Sequence, residues 1–235
     1  MRQSKKKVRS SGASSRPKIL DDRIKRKFQS HLLKWYHKYG RDLPWRRTND
    51  PYKILVSEVM LQQTQVDRVI PKYHEFLEKY PTVADLAAAK PQQVRETWYP
   101  LGYNVRPYRL HSIACETVER YGGEIPNDHE QLLSLKGIGR YTAGAVRSFA
   151  FQEDAPILDT NVMRVLYRVF VGEGDPKNHK TQLWAISEAS IPKGKGYDFN
   201  QALMDFGAMV CTARKPYCLL CPMQKFCKAF PFKPS

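Results

Sequence analysis

Four of the five cysteines crowd into the last 25 residues as Cys211, Cys218, Cys221 and Cys227, in the pattern C-x6-C-x2-C-x5-C. Four thiols this close along the chain force a short segment to close on itself, through disulfides in an oxidising compartment or around a metal in a reducing one. The first ten residues, MRQSKKKVRS, are basic and have no apolar stretch behind them. A secretory signal is therefore not expected, the chain is expected inside the cell, and a metal site is the consequence. Four thiolates can close a tetrahedral zinc site or hold a [4Fe-4S] cluster. A structural zinc site usually carries two CxxC pairs, and only Cys218 and Cys221 are so spaced, which leans toward iron–sulfur without removing zinc. Cys115 stands alone in a helical pattern.

The rest of the chain is large and basic. It has 235 residues, 42% of them apolar, with 39 Lys+Arg against 23 Asp+Glu and a formal charge of +16. That is too apolar for a disordered chain and long enough for one large or two modest domains. No apolar run approaches the roughly 20 residues of a membrane span, which excludes an integral helical membrane protein. So large a positive surplus suits a polyanion, because neutralising phosphates releases counterions. Residues 1–20 hold Lys, Arg, Ser, Gly and Pro without periodicity and read as a disordered basic arm.

Apolar positions beyond the arm recur at helical spacing. Asp21 or Asp22 can cap a first helix that stops at Gly40, and Asp50-Pro51 opens a second as N-cap and first-turn proline. Further helices are expected at about 67–79, 82–88, 91–98, 107–121, 128–134, 140–150, 160–171, 179–190 and 199–210, divided by Pro and Gly. No alternating strand pattern appears, so the expected class is all-α.

Several residues could carry chemistry. Leu135 to Gly144, LKGIGRYTAG, joins two helices through a glycine hairpin. Gly137 and Gly139 permit positive φ and let the backbone touch a ligand, and the N–H groups opening the next helix could face a phosphate. A plain inter-helix turn explains the same residues. Glu58 is the sole acid between Pro51 and Val66, on an apolar helix flank. Desolvation there would raise its pKa and make it a proton donor near neutrality, unless it pairs with an arginine or reaches water. Asp159 ends an apolar segment and starts a helix with Thr160 and Asn161. An ordinary N-cap accounts for it; the alternative is an ionised carboxylate, held low in pKa by helix amides, facing a developing cation. Arg214 and Lys215 lie inside the cysteine loop, where projecting cations suit phosphate contact.

Glu58 within SEVMLQQTQV, the hairpin LKGIGRYTAGAV, the segment ILDTNVMRVL and the four cysteines occur together and in order. In this combination the chain resembles the helix-hairpin-helix base-excision glycosylases that carry an iron–sulfur cluster, and most of all the MutY-type adenine DNA glycosylases. The resemblance runs from about Asp21 to Phe230. It implies two helical lobes with DNA across the cleft: a six-helix lobe at 45–150 containing the hairpin, and a cluster lobe made of 21–44 and 151–235. Glu58 would protonate the leaving adenine at N7. Asp159, with Asn161 beside it, would stabilise the cationic sugar, and Tyr141 would line the same pocket. Gln63 and Tyr103 would wedge into the duplex opposite the extruded base. Gly137, Gly139, Arg214 and Lys215 would hold DNA, and Cys211, Cys218, Cys221 and Cys227 would ligate a [4Fe-4S] cluster.

Relatives resembling endonuclease III have a lysine where Tyr141 stands, the amine that attacks the sugar and leads to strand cleavage. Its replacement implies a glycosylase without lyase activity. A monomer acting on double-stranded DNA with a mispaired base follows, in the cytoplasm or nucleoid, or the nucleus of a eukaryote. Two features depart from the adenine pattern. The sequence ends at Ser235, where longer adenine glycosylases continue into a domain that helps recognise 8-oxoguanine, and Asn104 and Pro107 are atypical in the groove-reading loop. Thymine/uracil mismatch glycosylases share the length, the tyrosine and both acids, and Gln62-Gln63-Thr64 favours the adenine branch. A catalytically silent DNA-binding module would have no need of Glu58 and Asp159 together.

Overall fold

Helix boundaries follow from capping chemistry that is local in the sequence. A computed structural model describes residues 19–232, so the expected basic arm lies, but for Ile19 and Leu20, outside the described residues. Asp21 caps α1 (Asp22–Tyr39) by accepting the N–H groups of Arg23 and Ile24, each at 2.9 Å. Asp50 does the same for α2 (Pro51–Leu61) through Tyr52 and Lys53, with Pro51 in the first turn where it lacks only a donor that would be unused. Next come α3 (Val66–Lys79), α4 (Val83–Ala88), begun by a Thr82–Asp85 capping box, and α5 (Pro91–Trp98). After them α6 (Val105–Tyr121) starts two residues earlier than expected, because Pro107 fits its first turn.

The chain then forms α7 (His129–Ser134), α8 (Arg140–Phe149), α9 (Thr160–Leu166), α10 (Lys180–Ser190) and α11 (Gly196–Met209). The helix expected over 160–171 is α-helical only to Leu166; Tyr167–Val171 widen into a π turn before Gly172. No strand occurs among the described residues, in keeping with the all-α expectation.

Packing places α2 at the centre. Tyr52 and the run from Ile54 to Met60 are all buried, because α2 touches α3, α6 and α8. A helix apolar nearly all round is stable only in such a position. Trp98 and Phe76 meet edge to face at 5.9 Å on one side of it. The first helix instead packs on α11, far along the chain: Phe28 meets Phe170 at 4.9 Å and Phe199 at 6.0 Å, and Trp35 stands perpendicular to Phe206 at 5.2 Å. Just beyond it, Arg41 and Arg46 both bind the fully buried carboxylate of Asp205 on α11. Two guanidiniums offset the desolvation of that one carboxylate.

Gly144 sets the register between α8 and the segment leading into α9. A Cβ there would stand 2.2 Å from the Pro156 carbonyl oxygen, so the two backbones touch where any side chain would separate them. Asp159 is thereby brought to the end of α2.

Candidate active site

Glu58 sits in the last two turns of α2 with 4% of its surface exposed. Among the described residues it pairs with no arginine. The Tyr141 hydroxyl, in the first turn of α8, donates to its Oε2 at 2.7 Å. Burial pushes the Glu58 pKa from 4.5 to about 7, helped by the charge of Asp159 and opposed by the Tyr141 hydrogen bond and the charge of Arg46. A carboxyl poised there holds and releases a proton near neutrality, as a general acid requires.

Asp159 is both an N-cap and a member of this site. Its Oδ1 accepts the Val162 N–H at 2.7 Å and its Oδ2 the Asn161 amide at 3.1 Å. Arg164 then holds the other end of Asn161, donating to its Oδ1 at 2.8 Å. The expectation that helix amides would keep Asp159 low in pKa is overturned. Its pKa is raised, because burial outweighs the hydrogen bonds from Val162 and Asn161 and the charge of Arg164. An ionised Asp159 is therefore poorly solvated and gains most from a cation that forms in front of it.

Glu58, Tyr141, Asp159 and Asn161 line one cavity of about 700 Å³. Gln63 reaches it as well; Tyr103 does not, and stands 56% exposed on the loop before α6. Both loop residues have left-handed backbones, φ 56° at Gln63 and 47° at Tyr103. For side chains other than glycine, that conformation stores on the order of 1–3 kcal/mol each. Arg46, Gln201 and Met204 also line the cavity and were missed from sequence. Gln201 and Met204 lie on α11 in a stretch that reads as core. The signal was a glutamine on an otherwise apolar helix face, which the structure buries to 4% exposure at the cavity wall.

The glycine hairpin is formed as expected in outline. Ile138 is buried between exposed Gly137 and Gly139 and anchors the turn. Only Gly137 takes positive φ, at 115°; Gly139 has φ −100° because it is the extended N-cap of α8. No atom lies within 4 Å of where a Cβ of Gly139 would be, and no side chain caps α8, so its first N–H groups are open to a ligand.

Cys211, Cys218, Cys221 and Cys227 all border one cavity. Burial pushes the thiols of Cys211 and Cys227 up and that of Cys221 to about 12, and each of these three is raised further by its cysteine neighbours. Arg168, 6% exposed, donates to the Cys211 sulfur at 3.6 Å, and its carbonyl accepts from Cys227 at 3.3 Å. Yet among the described residues no three Cys, His, Asp or Glu side chains converge as a single-ion site. Arg214 and Lys215 are exposed on the same loop. Among the described residues no helix is long and apolar enough to cross a membrane.

Comparison with known proteins places this geometry in context. The family model described as HhH-GPD superfamily base excision DNA repair protein matches residues 56–188, from α2 to α10. Human adenine DNA glycosylase is 43% identical over 213 residues, covering 86% of this chain and 39% of its own length. The chain thus spans about two fifths of that relative. A thymine/uracil-DNA glycosylase of Methanothermobacter thermautotrophicus is 37% identical over 217 residues, covering 90% of this chain and 98% of its own. The solved structure of a thermostable thymine-DNA glycosylase superimposes with a TM-score of 0.83 at 37% identity, covering 88% of this chain and 96% of its own.

Proposed function

The chain belongs to the HhH-GPD superfamily of base excision DNA repair proteins, and on that premise we propose that it is a DNA N-glycosylase that hydrolyses the bond between adenine and deoxyribose where adenine is mispaired with guanine or 8-oxoguanine. One observation carries base release: a buried Glu58 that titrates near 7 and shares a cavity with Asp159. Adenine, which leaves best once protonated at N7, has the greater need of such an acid. Glu58 delivers its proton to N7 of the extruded adenine as the C1′–N9 bond breaks, and the bonding pair leaves with the base. Asp159 faces the positive charge that grows on the sugar. Water adds at C1′ and its proton returns to the pocket carboxylates. Mutual repulsion favours one proton shared by the pair, protonated Glu58 beside ionised Asp159.

Among the described residues no lysine lines the cavity, and Tyr141 holds its proton well above pH 10 under burial and the charge of Glu58. Neither feature offers an amine for attack on the sugar, which supports a product with an abasic site and an uncut strand. Borohydride should trap no covalent complex with the wild-type protein, and efficient trapping would remove the monofunctional assignment.

DNA would lie across a cleft between a lobe at 45–150 and one formed by 21–44 with 151–235. The open amides at Gly139 and the cations Arg214 and Lys215 suit its phosphates, so binding should weaken steeply with salt. The four cysteines would hold a [4Fe-4S] cluster. Around one zinc ion, with Zn–S of about 2.3 Å, sulfurs stand roughly 3.8 Å apart. Four thiols that border one cavity supply a donor set for either group, and the single CxxC pair favours the cluster. When bound, such a cluster would fix the loop carrying Arg214 and Lys215, and Arg168 would offset its negative charge.

The thymine/uracil relative, matched along nearly its whole length, favours a second reading, release of thymine or uracil opposite guanine. Duplexes holding A·G, A·8-oxoguanine, T·G and U·G in one sequence context, under single-turnover conditions, decide between them. Adenine release opposite guanine is expected. Thymine or uracil release alone would select the second reading, and no base release from any duplex would leave a binding module.

A further inference from the structure

Arg106, in the first turn of α6, is 3% exposed and has no carboxylate partner among the described residues. Its Nη1 donates to the carbonyl oxygens of Val59, Met60 and Gln62 at 3.1, 2.8 and 2.6 Å. Its Nη2 donates to Thr64 Oγ1 at 3.0 Å and to the carbonyls of Leu101 and Gly102, both at 3.1 Å. The first group of acceptors is the end of α2 and the residue after it, where helix carbonyls lack intrahelical donors and a cation suits the dipole. The last two belong to the loop that carries Tyr103. The guanidinium also lies 5.3 Å from the Trp98 ring and 5.4 Å from that of Tyr103.

One side chain thus fastens two loops from separate parts of the chain. Of the three described non-glycine residues with positive φ, two, Gln63 and Tyr103, sit on these loops. Strained backbone persists only where its surroundings over-determine it, and here the determinant is shared. We propose that Arg106 is a positioning residue for base extrusion: it locks the Gln63 and Tyr103 loops into one preformed pair of wedges, so that neither must be ordered at the moment the duplex opens. The proposal rests on the glycosylase reading above. A mere folding staple would make the same contacts, so the test must separate opening the duplex from breaking the bond.

The experiment compares single-turnover adenine release from an A·G duplex with release from a duplex in which the adenine faces an abasic analogue and has no pairing partner. Arg106→Gln should slow the paired substrate about 30-fold, equivalent to roughly 2 kcal/mol of extrusion cost, and the unpaired one less than about 3-fold. Arg106→Lys keeps the charge but not the planar fork, should fall between, and carries the test alone if the glutamine variant does not fold. Arg106→Gln should also add little to Tyr103→Ala, because both remove the same device. Equal losses on the two substrates, or losses that multiply in the double variant, would overturn the proposal and leave a structural role. Full-rate release from A·G by both Tyr103→Ala and Gln63→Ala would instead overturn the wedge assignment, and the proposal with it. No base release by the wild type from either duplex would overturn the glycosylase reading itself.

Discussion

The acid pocket and the two loops beside it hold their functional side chains by opposite means. In the pocket Glu58, Tyr141 and Asp159 are presented by helix α2, the first turn of α8 and the cap of α9, and the cost falls on charge: both carboxyls are raised in pKa by burial. In the loops Gln63 and Tyr103 are in reach of solvent or the open cavity, and the cost falls on the backbone, at φ 56° and 47°. The proposed chemistry therefore resides where the backbone is regular and the carboxyls are strained. Proposed DNA deformation resides where the backbone is strained, around a buried guanidinium that carbonyls hold. The difference predicts that pocket substitutions alter bond breaking at constant affinity, whereas loop substitutions alter the opening of the duplex.

The pocket side of that comparison breaks most completely at Glu58. Glu58→Gln keeps shape and can still accept the Tyr141 hydroxyl, but it has no proton to give. Single-turnover release should fall by about three to five orders of magnitude with Kd for duplex nearly unchanged. The same variant should be more stable than the wild type at pH 8. With a folded pKa of about 7 against 4.5 for the free group, the native protein retains a proton that the unfolded chain releases, so its stability declines as pH rises from 4.5 through 7. The glutamine does not titrate, so its advantage in Tm should grow across that window and vanish below it. Equal Tm differences at pH 4 and pH 8 would show that Glu58 is not raised.

Asp159→Asn comes next, at about two to three orders of magnitude in rate, because an amide preserves a cap but not a charge opposite the sugar. The Asn161 amide nitrogen, which donates to Oδ2, loses its acceptor, so thermal melting must accompany the kinetics. A rate near that of the wild type would reduce Asp159 to an N-cap.

These two acids were legible because each breaks a pattern: Glu58 interrupts an apolar helix and Asp159 ends an apolar segment. Helix starts were legible for a related reason, since Asp21, Asp50 and Thr82 act within three residues of themselves. What depends on distant packing was not. The π turn at Tyr167–Val171 keeps the apolar period of the helix before it, and Gly139 gives no local sign that only its neighbour Gly137 turns left-handed. The sign of the Asp159 shift was misjudged because hydrogen bonds to a cap can be read from sequence and burial cannot. Arg106 reads as one more cation in a basic stretch, and its acceptors lie on α2 and on the loop after Trp98.

Loop substitutions probe the other side, with smaller effects. Tyr103→Ala should slow release from a paired A·G duplex about 10- to 30-fold, since a filled gap offsets part of the few kcal/mol of unstacking. Its pH–rate profile should keep the wild-type limb near 7, because Glu58 is untouched. A displaced limb would join the two regions into one device and undo the contrast between them.

The smallest effect sharpens the contrast from inside the pocket. The Tyr141 hydroxyl donates to Glu58 Oε2, and a hydrogen bond to the ionised form favours ionisation, so it opposes burial and keeps the Glu58 pKa from rising further. Tyr141→Phe removes that donor without opening the site, and the pKa must then climb above about 7. The protonated acid is the donor, so the alkaline limb of the single-turnover pH–rate profile should move to higher pH. At pH 7 the rate changes by no more than about 2- to 3-fold, the gain in protonated fraction being set against a less well oriented carboxyl. At pH 8.5 the variant should outperform the wild type. A limb that moves to lower pH would mean that the hydroxyl stabilises the protonated form, with Tyr141 accepting the proton of Glu58, and the orientation of this hydrogen bond would have to be reversed.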